Sequence, residues 1–184
     1  MSLRSDALRV LQAWSPPDSA QAAMRNLYVE HLHAHSDAMW RECRDHLTAS
    51  SLICDSDGGR VLLTLHSRAK LWLQTGGHCE RGDVSLAAAA LREASEESGI
   101  AALQVNGGPL QLSRHRVPFC GEVQPAFHLD VQYAVIAPPG VVEVISPESD
   151  DLRWFELDAL PNRTDQTVRD LVARMRQRLA ADRP

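Results

Sequence analysis

Residues 76 to 100 read GGHCERGDVSLAAAALREASEESGI, a glycine-rich turn followed by a run of helix-forming residues. The run ends in three carboxylates, Glu93, Glu96 and Glu97. Positions i, i+3 and i+4 lie on one face of an α-helix, so these like charges repel one another near the negative end of the helix dipole. Hard divalent cations such as Mg²⁺ prefer oxygen ligands and would remove this repulsion. The spacing therefore predicts a metal site on the helix.

The same segment resembles the Nudix box, the signature of enzymes that hydrolyse nucleoside diphosphates linked to another moiety. The second half of that pattern, Arg-Glu-x-x-Glu-Glu-x-Gly and an apolar residue, is matched in full by residues 92–100. In the first half Asp83 stands where the pattern has Glu, and eight residues rather than seven separate it from Arg92. We expect the loop residues Val84 and Ser85 to absorb the insertion, which leaves the helix in register. The insertion leaves open whether Asp83 pairs with Arg92, as the loop-anchoring ion pair of the family would imply.

The resemblance implies a role for individual residues of the box. Glu96 and Glu97 would be the first metal ligands, and Glu93 would be either a further ligand or the group that orients or deprotonates water. The backbone carbonyl of Gly77 would be an extra ligand, and Arg92 would orient the glutamates rather than contact substrate. The implied cofactor is Mg²⁺, with Mn²⁺ as the alternative, and it would activate a bound water. The competing interpretation is a solvated acidic patch with an Arg92–Glu96 surface pair.

We call Glu93, Glu96 and Glu97 the carboxylate cluster, and further candidate residues lie outside it. His78 follows the glycine turn and is placed either to reach a phosphate or to shape the metal loop. Arg68 belongs to a basic loop between two strands, which would either meet phosphates or remain solvated. Glu148 and Glu122 are candidates for the substrate-site or metal-site carboxylate that many Nudix enzymes take from outside the box. Glu143 is a weaker candidate for the same role.

The resemblance implies an α/β fold, a Nudix-type α/β/α sandwich with a mixed sheet. The sequence pattern is compatible with it, because strand-like runs begin near His46 and residues 127–136 alternate apolar and polar side chains. Apolar residues at helical spacing from Asp165 onward predict a final amphipathic helix. We therefore predict a helical extension, a Nudix domain and a C-terminal helix packed on that domain, over residues 1–45, 46–161 and 162–184.

The extension is predicted to contain three helices. The first covers Ser5 to Trp14, the second runs from Asp18 or Ser19 to about His33, and the third covers Asp37 to Arg44. Their apolar side chains cannot all face water, so they must pack on the domain, as one wall of the substrate cleft, or in a homodimer interface. A histidine motif, H-x-H-x-H at residues 31–35, has a spacing compatible with zinc but is interpreted as a polar helix end.

Composition limits the class of protein. The 184 residues carry a net charge of −5, which argues against binding to a nucleic-acid polymer but not against a nucleotide-like small molecule. The longest apolar runs fall short of the roughly 18 residues that span a bilayer, so no membrane association is expected. The four cysteines include no C-x-x-C pair, which favours a reduced, cytoplasmic protein.

The leading functional hypothesis is a Mg²⁺-dependent Nudix hydrolase that cleaves a pyrophosphate linkage in a nucleoside diphosphate derivative or a related nucleotide. A non-catalytic nucleotide-sensing domain is the first alternative, although such domains typically lose box carboxylates. An isopentenyl-diphosphate isomerase-like enzyme is the second, but its cysteine and tryptophan site motifs are not recognisable here. The sequence does not specify the substrate, because the same fold serves many activities.

Overall fold

The computed structural model describes residues 2–118, 120, 124–147 and 149–181. Within these ranges the chain forms four helices and one eight-stranded sheet. The helices are α1 (Leu3–Ala13), α2 (Ser19–Ala34), α3 (Leu86–Ser98) and α4 (Gln166–Ala181). The strands are β1 (His46–Cys54), β2 (Arg60–His66), β3 (Trp72–Leu73), β4 (Thr75–His78), β5 (Gln104–Val105), β6 (Gln111–Arg116), β7 (Phe127–Ile136) and β8 (Ser149–Glu156).

The sheet is mixed, and β1 lies at its centre. β1 pairs in parallel with β7 over its whole length, from His46 opposite His128 to Cys54 opposite Ile136, and antiparallel with β2 and β4. Helices α1, α2 and α3 pack on one face of the sheet, and α4 packs on the other. This arrangement confirms the predicted three-layer sandwich with its mixed sheet.

The face that α4 covers is apolar in one half and polar in the other. Leu52 and Cys54 of β1, together with Ala134 of β7, pack with α4. Because side chains alternate along a strand, earlier residues of β1 and β7 point to the same face beyond the end of α4. We call these six residues the polar strip: His46, Thr48, Ser50, His128, Asp130 and Gln132.

The helix of the box begins and ends at defined caps. Ser85 is the N-cap, and its hydroxyl accepts a hydrogen bond from the Ala88 amide at 3.1 Å. Gly99 ends the helix in the left-handed region, with φ of 66°, where a side chain would be strained. Since the helix starts at Leu86, the inserted residue lies in the preceding loop, as predicted.

The N-terminal extension forms two of its three predicted helices. α1 and α2 match the first two within a few residues, but residues 35–45 form turns, so the third predicted helix is wrong. The turn bonds join residues three apart, as from the Trp40 amide to the Asp37 carbonyl at 2.8 Å. In addition, the Ala38 carbonyl accepts a hydrogen bond from the Leu47 amide of β1 at 2.8 Å. This carbonyl is therefore bonded to the sheet and not within a helix.

The extension packs on the domain of its own chain. Leu11, Tyr28 and Leu32 are fully buried in a cluster that includes Leu86 of α3. The Gln21 side chain bonds both the amide and the carbonyl of Leu112, at 2.7 and 3.0 Å, and so extends the edge strand β6. The extension therefore packs on the domain, as predicted, whereas a contribution to the wall of the substrate cleft and the homodimer both stay predictions. Among the described helices, none is long and apolar enough to cross a membrane.

Candidate metal centre and substrate cavity

The carboxylates of α3 face the glycine turn. The Gly76 amide donates a hydrogen bond to Glu97 Oε1 at 3.0 Å. A Cβ atom on Gly77 would lie 2.6 Å from Glu93 Oε2, and one on Gly76 would lie 2.2 Å from the Ser50 Cβ. Glycine at both positions therefore lets β4 pass between β1 and the carboxylates. The predicted orientation of the helix is confirmed.

Arg92 is the centre of an ion-pair network. Its Nε and Nη2 atoms each donate to a different oxygen of Asp83 at 3.1 Å, so the two residues form a bidentate salt bridge. Its Nη1 atom donates to Glu93 at 3.0 Å and to Glu96 at 3.1 Å, and Nη2 also donates to the His78 carbonyl at 2.9 Å. The arginine thus holds the box loop, two glutamates and strand β4 in one arrangement.

The Asp83–Arg92 pair therefore forms despite the inserted residue. Its hydrogen bonds, followed by the charge of Glu93, raise the pKa of the Arg92 guanidinium above its ordinary value. A permanent positive charge beside Glu93 and Glu96 offsets part of their repulsion, so a cation is not the only compensation available to the cluster. The geometry is that of an orienting residue, because most of the donors of Arg92 are already used within the protein.

A cavity of about 780 Å³ lies over this cluster. Its size falls within the roughly 300–1,000 Å³ typical of small-molecule sites. Arg68 and His78, the predicted substrate-binding residues, line the same cavity as the glutamates. The lining also includes Gly76, Gly77, Arg92, Glu93, Glu96, Glu97, Arg116 and the polar-strip residues Thr48, Ser50, His128 and Asp130.

The candidates for an additional carboxylate have different outcomes. Glu148 and Glu122 lie outside the described residues. Glu143 accepts a hydrogen bond from the Trp154 indole at 2.9 Å and is not among the described residues that line the cavity. Asp130, which the sequence interpretation did not select, is the buried carboxylate of this cavity.

Asp130 is 2% exposed and is held by neutral donors. Thr48 and Ser50 donate hydroxyl hydrogen bonds to its two oxygens at 2.9 and 2.6 Å, and the Gln132 amide donates at 2.9 Å. The sequence signal was present, because polar residues alternate along β7. Alternation alone does not mark a site, because the polar residues of an alternating strand ordinarily face solvent, whereas those at the centre of β7 are buried.

A second cluster in the cavity wall was also missed. One ligand atom from each of His46, His78, His128 and Cys120 lies within 4.8 Å of the others, and we call these residues the histidine cluster. Burial lowers the pKa of His46, and burial together with the neighbouring histidines lowers that of His78 to about 4 and that of His128 to about 2. The three imidazoles are therefore neutral near pH 7.

The sequence matches the NUDIX domain family over residues 44–175. This match covers well over half of the chain, and the chain belongs to the Nudix family. Family membership and the complete set of box carboxylates support a pyrophosphohydrolase, an enzyme class that generally uses a divalent metal ion. Comparison with curated proteins gives no match.

Solved structures with the same fold are distant in sequence. A Nudix-family hydrolase from Clostridium perfringens is 22% identical, with a TM-score of 0.58 over 74% of this chain and 98% of that chain. A C. elegans Ap4A hydrolase is 19% identical, with a TM-score of 0.60 over 73% and 98%. The NUDIX domain of Shewanella oneidensis NrtR, crystallised with ADP ribose, is 19% identical, with a TM-score of 0.53 over 72% and 87%. At these identities the similarity establishes the fold.

Proposed function

We propose that the chain is a Mg²⁺-dependent hydrolase that cleaves a pyrophosphate linkage in a nucleoside diphosphate derivative. The observation that carries this proposal is the set of three glutamates gathered beside a glycine turn in the lining of a nucleotide-sized cavity. All the donors that this set offers are oxygens, which suits a hard divalent cation. The absence of a Cβ on Gly77 lets the Glu93 carboxylate lie directly against the backbone of the glycine turn.

The proposed roles follow the positions of the side chains. Glu96, Glu97 and the Gly77 carbonyl would hold the ion, which when bound neutralises phosphate charge and lowers the pKa of a bound water. Glu93 would accept a proton from the water that attacks phosphorus, while the bridging P–O bond breaks and the leaving phosphate carries away its electron pair. Arg92 positions Glu93 and Glu96 through its shared Nη1 hydrogen bonds.

Positive and polar groups further along the cavity are proposed to bind the rest of the substrate. Arg68 would contact phosphate oxygens, His78 would shape the metal loop beside Gly77, and Asp130 would accept hydrogen bonds from a substrate hydroxyl or amino group. Nucleotide-like substrates or ligands appear in the names of similar structures, which include an Ap4A hydrolase and a NUDIX domain with ADP ribose. Those names support the nucleotide class and do not select one member of it.

We also propose a domain organisation, an oligomeric state and a cellular location. Residues 1–45 would form an extension of the Nudix domain at 46–161, with residues 162–184 as its C-terminal helix. Homodimer formation is tested by the molar mass in solution. The cytoplasmic location is tested by fractionating cells that express the full chain.

The activity is tested by assaying phosphate and nucleoside monophosphate release with Mg²⁺. The panel contains nucleoside triphosphates, dinucleoside polyphosphates, ADP-ribose, sugar nucleotides and NADH. We expect turnover of at least one of these classes, lost when Mg²⁺ is chelated and in Glu97→Gln. The matched control is Glu143→Gln, which changes a carboxylate away from the cavity. Saturable binding without turnover for every class would reject the hydrolase and favour the nucleotide-sensing alternative.

A further inference from the structure

The histidine cluster has the donors and spacing of a transition-metal site. Cys120 Sγ lies 3.4 Å from His78 Nε2 and 3.8 Å from His46 Nε2. A tetrahedral ion with bonds of about 2.0–2.3 Å separates its ligand atoms by about 3.3–3.8 Å. These two distances fall within that range, and all four ligand atoms lie within 4.8 Å of one another, so the side chains need to close in on a common centre by at most about 1–1.5 Å to hold a tetrahedral ion.

The cluster is poorly explained as a set of ordinary buried histidines. The ring of His128 packs on His46 and His78 with centroids 4.9 Å away from each, and its buried Nε2 atom has no hydrogen-bond partner among the described residues. Leaving a buried nitrogen unpaired is unfavourable, so buried polar atoms normally find partners. Packing three imidazoles and a thiol together without a ligand leaves that cost unexplained.

The orientation of His46 also favours metal binding. Its Nδ1 atom lies 2.8 Å from the Cys43 carbonyl, which can only accept, so Nδ1 carries the proton. The lone pair of Nε2 then points toward the cluster. Protein ligands to metals are commonly fixed in this way, by a carbonyl bonded to the other ring nitrogen.

We propose that His46, His78, His128 and Cys120 bind one Zn²⁺ ion at a structural site in the wall of the cavity. Imidazole and thiolate donors suit zinc and disfavour Mg²⁺, so this site would be distinct from the oxygen-lined carboxylate cluster. Four protein ligands close the coordination sphere, which is the property of a structural rather than a catalytic zinc. The ion would join β1, β4 and β7 to Cys120, and it would fix the strand that carries Gly77.

A second group, His35, Asp37 and Cys43, also has atoms within metal-binding distance. His35 and Asp37 are exposed, and the group offers only three ligands. It therefore provides a matched comparison for any cysteine-dependent signal. The two sites differ in which cysteine they contain.

The test uses Co²⁺ as a spectroscopic probe for zinc in chelator-treated full-length protein, with excess Mg²⁺ present to occupy oxygen sites. We expect one Co²⁺ per chain, a tetrahedral visible spectrum and a thiolate-to-cobalt charge-transfer band, all displaced by Zn²⁺. The band should be lost in Cys120→Ser and retained in Cys43→Ser and Glu97→Gln. Since losing even an outer-sphere partner weakens metal affinity about 10–100-fold, His128→Gln should weaken Co²⁺ binding at least about 100-fold.

Two outcomes would overturn the proposal. A band lost in Cys43→Ser and kept in Cys120→Ser would place the metal at the other group. Cobalt binding without a thiolate band would show that Cys120 is not a ligand and would overturn the four-ligand site. Circular dichroism of each metal-free variant checks its fold, and the use of two different ligand substitutions keeps the test valid if one variant is unstable. Neither result depends on hydrolytic activity, so failure here leaves the proposed hydrolase untouched.

Discussion

The carboxylate cluster and the histidine cluster line one cavity but differ in the charge and the exposure of their closely spaced side chains. The carboxylates are charged and partly exposed, and Arg92 balances two of them through hydrogen bonds. The imidazoles are largely buried, and their lowered pKa values keep them neutral instead. The first arrangement suits a hard ion that exchanges with solvent and substrate, and the second suits a softer ion held permanently. Differences in charge and exposure therefore separate two sites joined through adjacent residues, Gly77 and His78.

Both clusters depend on the N-terminal extension, and its removal gives the largest expected effect. Asp6 of α1 accepts a hydrogen bond from the Leu86 amide at 3.0 Å, at the start of the carboxylate helix, and the Cys43 carbonyl orients His46. Leu11, Tyr28 and Leu32 are fully buried, and each contributes about 1.5–3 kcal/mol. Deleting residues 1–45 removes a large part of a typical 5–15 kcal/mol stability, so we expect insoluble or unfolded protein.

This expectation is checked by soluble yield and by thermal unfolding of the truncated chain. The control removes only residues 182–184, at the other terminus. A truncated protein with wild-type yield and stability would show that neither cluster needs the extension.

Glu97→Gln should separate the two clusters most sharply. The substitution keeps the volume of the side chain but removes a charged ligand, so hydrolysis should fall at least about 100-fold. Stabilisation by Mg²⁺ follows the mass action of binding to the folded state, so it should disappear, while stabilisation by Zn²⁺ should remain. Thermal shifts with each ion, beside the Glu143→Gln control, measure both. Loss of both responses would mean that the clusters form a single site.

The parts of this picture that the sequence predicted are those with local or contiguous signals. The alternation in residues 127–136 coincides with β7, and the box gave α3 and its three glutamates in the right register. The Asp83–Arg92 pair was left open because loop length alone does not determine whether two side chains meet. The prediction of the third helix was wrong because the Ala38 carbonyl is hydrogen-bonded to the Leu47 amide of β1. This is a tertiary contact that no local sequence pattern indicates.

The histidine cluster shows why the rest could not be predicted. Its members come from β1, β4, β7 and the segment after β6, and only the parallel pairing of β1 with β7 places His46 beside His128. The motif at residues 31–35 is more conspicuous in the sequence because its three histidines lie within five residues. Its first histidine instead bonds the Asp45 carbonyl at 2.7 Å. Spacing along the chain is a good guide to ligands on one helix and a poor one for ligands on several strands.

Arg92→Lys tests whether positioning, rather than charge alone, maintains the carboxylate cluster. Lysine keeps the positive charge but cannot form the bidentate salt bridge with Asp83 or bond two glutamates and a carbonyl at once. We expect kcat to fall about 10–100-fold, with a smaller change in KM, because the lost contacts are to glutamates rather than substrate. The control is Arg153→Lys, at an exposed ion pair on β8. A rise in KM of about the same factor, with kcat unchanged, would indicate that Arg92 contacts substrate.

The histidine cluster should give the metal-free protein a distinctive pH dependence. The pKa values in the folded state, about 4 for His78 and about 2 for His128, lie below the ordinary value of 6.5. The unfolded chain therefore binds more protons below pH 6.5, and the free energy of unfolding falls as the pH is lowered. The limiting slope is about 1.4 kcal/mol per pH unit for each histidine that stays neutral.

Denaturant unfolding between pH 7 and pH 4.5 measures this slope. His128→Gln should flatten it, whereas His33→Gln, at an exposed position of α2, should not. Identical slopes in all three proteins would show that these imidazoles do not control acid stability. Carboxylates also titrate in this range in all three proteins, so the difference between the slopes measures the contribution of His128.

The smallest expected effect concerns the contact between α1 and the carboxylate helix. Asp6 is 3% exposed, and its carboxylate accepts from the first amide of α3 while also pairing with Arg9. Asp6→Asn keeps an acceptor oxygen but removes the charge that favours a helix N-terminus, so the free energy of unfolding should fall by only about 0.5–1 kcal/mol. Asp158→Asn, at an exposed turn, is the control. Because the cap acts on the fold and not on the ions, Mg²⁺ and Zn²⁺ affinities should both be unchanged. A change in Mg²⁺ affinity alone would show that α1 tunes the carboxylate cluster specifically, and would link the extension to catalysis rather than to stability.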